Sequence, residues 1–106
     1  MTRRFILRVR AERDIQSAFE WYESQRSGLG DEFLASLRER LETVRSFPEA
    51  FPVLYRDVRR AVVSRFPYVV FYVVQPTRVA VLAVVHQSRN PATWPRRSGG
   101  ARQGGA

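Results

Sequence analysis

The residues of this chain best suited to chemistry gather in its second half. His86 is the lone histidine, and histidine is the side chain whose ordinary pKa lies nearest neutrality. Arg59, Arg60, Arg65 and Arg89 flank the runs around it, and their planar forks grip phosphate or carboxylate through paired hydrogen bonds. Tyr68 and Tyr72 add rings that stack on bases or pack in a core. Cations on a phosphate beside a group that moves a proton would serve phosphoryl transfer. Here Arg60, Arg65 or Arg89 would hold the phosphate, and His86 or a tyrosine would move the proton. No carboxylate lies near His86 in sequence, so a structural histidine is the simpler reading. The arginines read equally as a cationic rim for RNA, DNA or an acidic protein arm, or as charges that keep strand edges from pairing. No spacing makes a metal site, a phosphate-cradling glycine loop or a Ser/His/Asp triad, and the absence of cysteine removes thiolate sites. No catalytic group, cofactor or metal is therefore assigned.

These residues sit on three apolar, β-branched runs. Val58 to Val63 reads as one strand, and Val69 to Val74, apolar on both faces, as a central one. Pro67 falls near the start of that second run, where a missing backbone donor is tolerated. Gln75-Pro76-Thr77 supplies a hairpin turn, and Val79 to Gln87 a further strand that puts His86 on the face of Leu82 and Val84. Upstream, Phe5 to Val9 alternates apolar with basic and reads as a first strand. From Glu12 the period becomes helical, with Ala11, Ile15, Ala18, Phe19 and Tyr22 on one face. Gly28 stops that helix. Phe33, Leu34, Leu37, Leu41 and Val44 stripe a second helix that Pro48 ends. Glu20, Glu23, Glu39 and Glu42 read as solvated helix faces. The expected order is β-α-α-β-β-β: an α+β fold, with an antiparallel helical hairpin on one face of a small, mainly antiparallel four-stranded sheet.

The 106-residue length fits one domain over residues 1–95, and residues 96–106 form a basic, glycine-rich tail expected to be disordered. Net charge is +8 and unevenly placed: residues 1–57 hold ten Arg and ten acids, residues 58–106 eight Arg and no acid. An acidic or polyanionic partner near the C-terminal half follows, or a plainly solvated basic surface. No signal-peptide core and no run long enough to span a bilayer is present. With no cysteine, a cytoplasmic location away from membranes is the expectation.

The order of elements, with Ala18-Phe19-Glu20-Trp21-Tyr22-Glu23, Gly28-Leu29-Gly30-Asp31-Glu32-Phe33, Phe47-Pro48, Val58-Arg59-Arg60, Arg65-Phe66-Pro67-Tyr68, Val84-Val85-His86 and Arg89-Asn90-Pro91, resembles the RelE/ParE superfamily of toxins from type II toxin–antitoxin pairs. The ParE-like, plasmid-stabilisation branch is the nearer match. That resemblance implies a growth-arresting toxin neutralised by the acidic C-terminal segment of a cognate antitoxin. In the ParE-like branch the target is DNA gyrase and the toxin acts by binding. In the RelE-like branch it is an endoribonuclease that cuts mRNA on the ribosome, and the resemblance to that branch would cast Arg60, Arg65, His86 and Arg89 as its site. RelE-type nucleases tend to carry an arginine just after the aromatic residue that opens the central strand. Here Val69 follows Tyr68, and valine cannot stabilise a transition-state anion. The contact residues expected on a partner are Arg59, Arg60, Arg65, Arg89 and Trp21, the last as an anchor for an antitoxin helix.

Overall fold

A strand of four residues leaves its apolar face uncovered unless a layer packs on it, and two helices supply that layer. In the computed structural model, which describes residues 3–89, β1 (Arg4–Leu7) leads into α1 (Val9–Gln25) and α2 (Leu29–Ser46). Then come β2 (Val53–Tyr55), β3 (Val58–Val62), β4 (Tyr68–Val74), β5 (Arg78–His86) and a 3₁₀ turn at Gln87–Arg89. The sheet order is β1-β5-β4-β3-β2. The α+β class and the helical hairpin are as expected, but the sheet has five strands and not four, since Val53–Tyr55 pairs with β3. It is also mixed: β1 lies parallel to β5 from Arg4↔Arg78 to Leu7↔Val81. Two antiparallel helices between β1 and the rest return the chain in the sense that makes this pairing parallel. The tail expectation for residues 96–106 falls outside the described residues, as does the side chain of Arg89.

Both helices bury the stripes that the spacing gives them. Ala11, Ala18 and Tyr22 from α1 and Phe33, Leu37 and Val44 from α2 meet Val70, Tyr72, Val79 and Val81 from the sheet. α1 begins at Val9, earlier than the acidic residues suggest, because the last ladder bond of β1 (Arg8 N–H to the Val81 carbonyl, 2.9 Å) releases the chain there. The hairpin between the helices is held by Glu23, whose carboxylate accepts the N–H groups of Gly28 and Gly30, both at 2.9 Å. Free N–H groups at a helix start favour such an anion. Glu23 is therefore half-buried and structural, not a solvated face. Gly28 takes φ +91°, and a Cβ on Gly30 would meet the Phe19 ring at 2.7 Å, so the close helix crossing there depends on glycine.

The sheet is apolar on its other face too. Val69, Phe71, Ala83 and Val85 form a second buried cluster with Leu54 and Val58, which accounts for the unbroken apolar run of β4. A bulge on β5 at Leu82, between the pairs Tyr72↔Val81 and Phe71↔Ala83, shifts the phase of the strand by one residue. His86 therefore shares the helix-side face with Val84 and Val81, and Leu82 is the extra residue.

Candidate functional site

Three structural facts open a cleft beside α1. β1 stops at Leu7, so β5 loses its neighbour beyond Val81. The bulge turns Val84 and His86 toward the helices. α1 then passes over them with Asp14, Ser17, Ala18 and Trp21. The resulting cleft, about 470 Å³, is lined by these four residues with Tyr68, Val84, His86 and Ser88.

Its groups are ordered by one another. Trp21 is 57% exposed, the aromatic residue on the cleft's rim, and stands edge-on to buried Tyr22 at 5.1 Å. One ring is thus buried and its neighbour exposed, as the roughly 100° between successive helical residues allows. The His86 ring packs edge-on against Tyr68 at 5.1 Å, and its Nδ1 accepts the Ser88 N–H at 2.9 Å. A neutral ring bonded this way carries its proton on Nε2. Asp14 accepts the Val84 N–H at 2.9 Å and faces Arg10 at 3.4 Å. Among the described side chains lining the cleft none is an arginine.

Arg59, Arg60 and Arg65 do not share a rim. Arg59 turns to the helix side and donates to the carbonyls of Glu49 at 3.2 Å and Phe51 at 2.6 Å, tying down the loop after α2. It also lines a second cleft of about 420 Å³ at the far end of the sheet, with Arg3, Arg56, Glu49 and Asp57. Arg60 faces the opposite side of the sheet, across from Phe71, with its Nε buried and without an acceptor. Arg65 is exposed in the β3–β4 turn at φ +71°, lies 3.8 Å from Glu32 and covers the Phe66 ring. The tyrosines are committed to the core. Tyr68 packs on Phe33 at 5.2 Å and on His86. The Tyr72 hydroxyl donates to the Pro48 carbonyl at 2.6 Å, and burial pushes its pKa up to about 12. Burial likewise raises Tyr22.

Sequence reasoning found Trp21 and His86, and the structure brings these two together in one cleft. It missed Asp14, whose bond spans 70 residues and leaves no local signal. It also missed Arg40, which donates to the Val62 carbonyl at 2.7 Å on the edge of β3. Among the described residues, no three His, Asp or Glu side chains gather as a metal site. No helix among them is long and apolar enough to cross a membrane.

A two-helix hairpin packed on one face of a mixed sheet, with a cleft beside the first helix, is the architecture of this chain. Residues 5–91 match the family described as "ParE toxin of type II toxin-antitoxin system, parDE". The chain belongs to this family, within the RelE/ParE superfamily. Among solved structures it is similar to one titled "Chromosomal ParDE TA system from P. aeruginosa", with a TM-score of 0.72 and 12% identity, over 80% of this chain and 96% of that one. At that identity the likeness speaks for the fold. No curated protein matches the chain.

Proposed function

We propose that this ParE-family chain arrests growth from within the cytoplasm by binding DNA gyrase and blocking replication, without chemistry of its own, and that a cognate antitoxin with an acidic C-terminal segment neutralises it. One observation supports this reading over a nuclease built on Arg60, Arg65 and His86. Arg60 and His86 lie on opposite faces of the sheet, and Arg65 sits beside Glu32 in a turn. Groups so placed cannot close on one phosphate, whereas acid–base catalysis needs them within hydrogen-bond reach of the reacting atoms. Val69, fully buried in the outer cluster, leaves no cation at the position after Tyr68. What remains exposed suits contact: the Trp21 rim of the cleft and the separate arginine surfaces.

Purified protein is expected to inhibit gyrase supercoiling and to leave mRNA intact in a translating extract. Cleaved mRNA with untouched supercoiling would overturn the proposal in favour of a RelE-type endoribonuclease. In the same assays His86→Ala and Arg65→Ala should each retain inhibition.

A further inference from the structure

Charge divides the molecule by layer. α1 and α2 carry four acids each, eight of the chain's ten. None of the five strands holds an acid, and four of their residues are arginine: Arg4, Arg59, Arg60 and Arg78. At the end of the sheet away from the Trp21 cleft, β1 begins, the β4–β5 turn closes and the β2–β3 turn runs through Arg56 and Asp57. Arg4 and Arg78 are register partners there in the parallel β1–β5 pair. Phe5, Leu7, Val79 and Val81 pack on the helix side. Alternation therefore puts both arginines on the outer face as direct neighbours, on strands about 4.8 Å apart. Like charges so placed repel. Among the described residues, no ion pair takes up Arg4, Arg56 or Arg78.

Protection of a free edge accounts for Arg4, which is exposed on the outermost strand. It does not account for Arg78, since β5 lies between β1 and β4. The Arg78 fork is also held in place. Its Nε donates to the Gln75 side-chain carbonyl, across a turn that the Gln75 N–H closes on the Arg78 carbonyl at 2.8 Å. A guanidinium fixed through Nε keeps its two terminal nitrogens for a bidentate anion. Gln75 and Pro76 also line the 420 Å³ cleft with Arg3, Arg56 and Arg59. Exposed Arg56 sits at φ +54° with its guanidinium over the Tyr55 ring at 5.3 Å. The acids in that cleft are Glu49 and Asp57, and Glu49 is paired with Arg3 at 3.5 Å.

We propose that this end of the sheet is a phosphate site for duplex DNA: Arg4 and Arg78 close their forks on one backbone phosphate, and Arg56 takes a neighbouring one across the β4–β5 turn. This deepens the gyrase reading and rests on it, since a chain docked on gyrase meets the DNA held there. A phosphate between Arg4 and Arg78 turns their mutual repulsion into two charge-assisted contacts. The acidic helical layer is repelled by the same backbone, which sets the chain with its strand end toward DNA. Contacts to phosphate carry no base sequence, so the site takes duplexes of any sequence.

The test measures binding of the full chain to a short fluorescent DNA duplex by anisotropy over a series of salt concentrations. The double variant Arg4→Gln, Arg78→Gln is compared with Arg13→Gln, Arg38→Gln, which removes the same charge from exposed positions on the two helices. The sheet pair is expected to weaken duplex binding about tenfold and to lower the slope of log affinity against log salt by about two, while the helix pair changes affinity by less than about twofold. Equal losses from the two pairs, or no loss from the sheet pair, would overturn the proposal. Tighter binding of the unaltered chain to single-stranded RNA than to the duplex would assign the site to RNA and overturn it as well. Supercoiling assays keep the underlying reading apart. An unaltered chain that never inhibits gyrase removes that reading. A sheet pair that inhibits as strongly as the unaltered chain removes only the DNA contact. If Arg78→Gln does not fold, Arg4→Gln with Arg56→Gln, both at exposed positions, takes its place.

Discussion

The two faces of the sheet use the same kinds of residue to different ends, and Arg59 and Arg60 show it most clearly. They are adjacent on β3 and point to opposite sides. Arg59, on the helix side, finds two carbonyls and closes a loop. Arg60, on the outer side, buries its Nε with no acceptor. The helix side is also where the rings of Tyr22, Phe33, Phe66 and Tyr68 pack edge to face, as in the Tyr22–Phe66 and Phe33–Tyr68 pairs at 5.0 and 5.2 Å. There the Arg59 guanidinium and the Tyr72 hydroxyl both donate to backbone carbonyls. On the outer face an orphaned donor opposes the fold, because its desolvation goes uncompensated. Arg59 is therefore expected to contribute more to stability than Arg60.

That contrast can be broken in order of effect. Phe33→Ala removes the centre of the aromatic cluster and should cost about 3–5 kcal/mol in urea denaturation. Arg59→Met deletes two charge-assisted bonds and frees two loop carbonyls, for about 2 kcal/mol. Arg60→Met should be neutral or slightly stabilising by the same measurement; a loss as large as that of Arg59→Met would abolish the distinction between the faces. The helix-side tyrosines add a pH signature. Tyr72 has its pKa raised by burial to about 12 from an ordinary 10, so the folded state favours the neutral phenol. Its contribution is fully present below about pH 10 and is lost as pH rises toward 12. Melting temperature should fall across that window, and Tyr72→Phe should flatten the fall. The smallest effect on stability belongs to Trp21→Ala, about 0.5 kcal/mol for an exposed ring. Its affinity for antitoxin should nevertheless drop about thirtyfold or more, as for a buried anchor.

Much of this fold is legible in the sequence because it is local. Helical spacing marks Ala18 and Tyr22, and Phe33, Leu37 and Val44, as buried; Gly28 and Pro48 mark the helix ends. The apolar run of β4 announces a strand covered on both faces. What was not legible depends on distance along the chain. The parallel β1–β5 pair joins segments separated by both helices, and no residue of either encodes its partner. The bulge at Leu82 resets which residues face the helices, so simple alternation carries His86 to the correct neighbour, Val84, but the wrong one, Leu82. A rim of Arg59, Arg60, Arg65 and Arg89 is natural in a linear reading. Among the described side chains, alternation sends Arg59 and Arg60 to opposite faces and a positive-φ turn sends Arg65 toward α2. Trp21 and His86, 65 positions apart in the numbering, become neighbours only through the crossover.

Action through binding to the replication machinery is tested most directly in cells. The chain would be induced without its antitoxin, and the rates of DNA and protein synthesis followed over the first minutes. DNA synthesis should stop first while protein synthesis continues, and His86→Ala should leave that order unchanged. Protein synthesis halting first, with DNA synthesis continuing, would contradict the account.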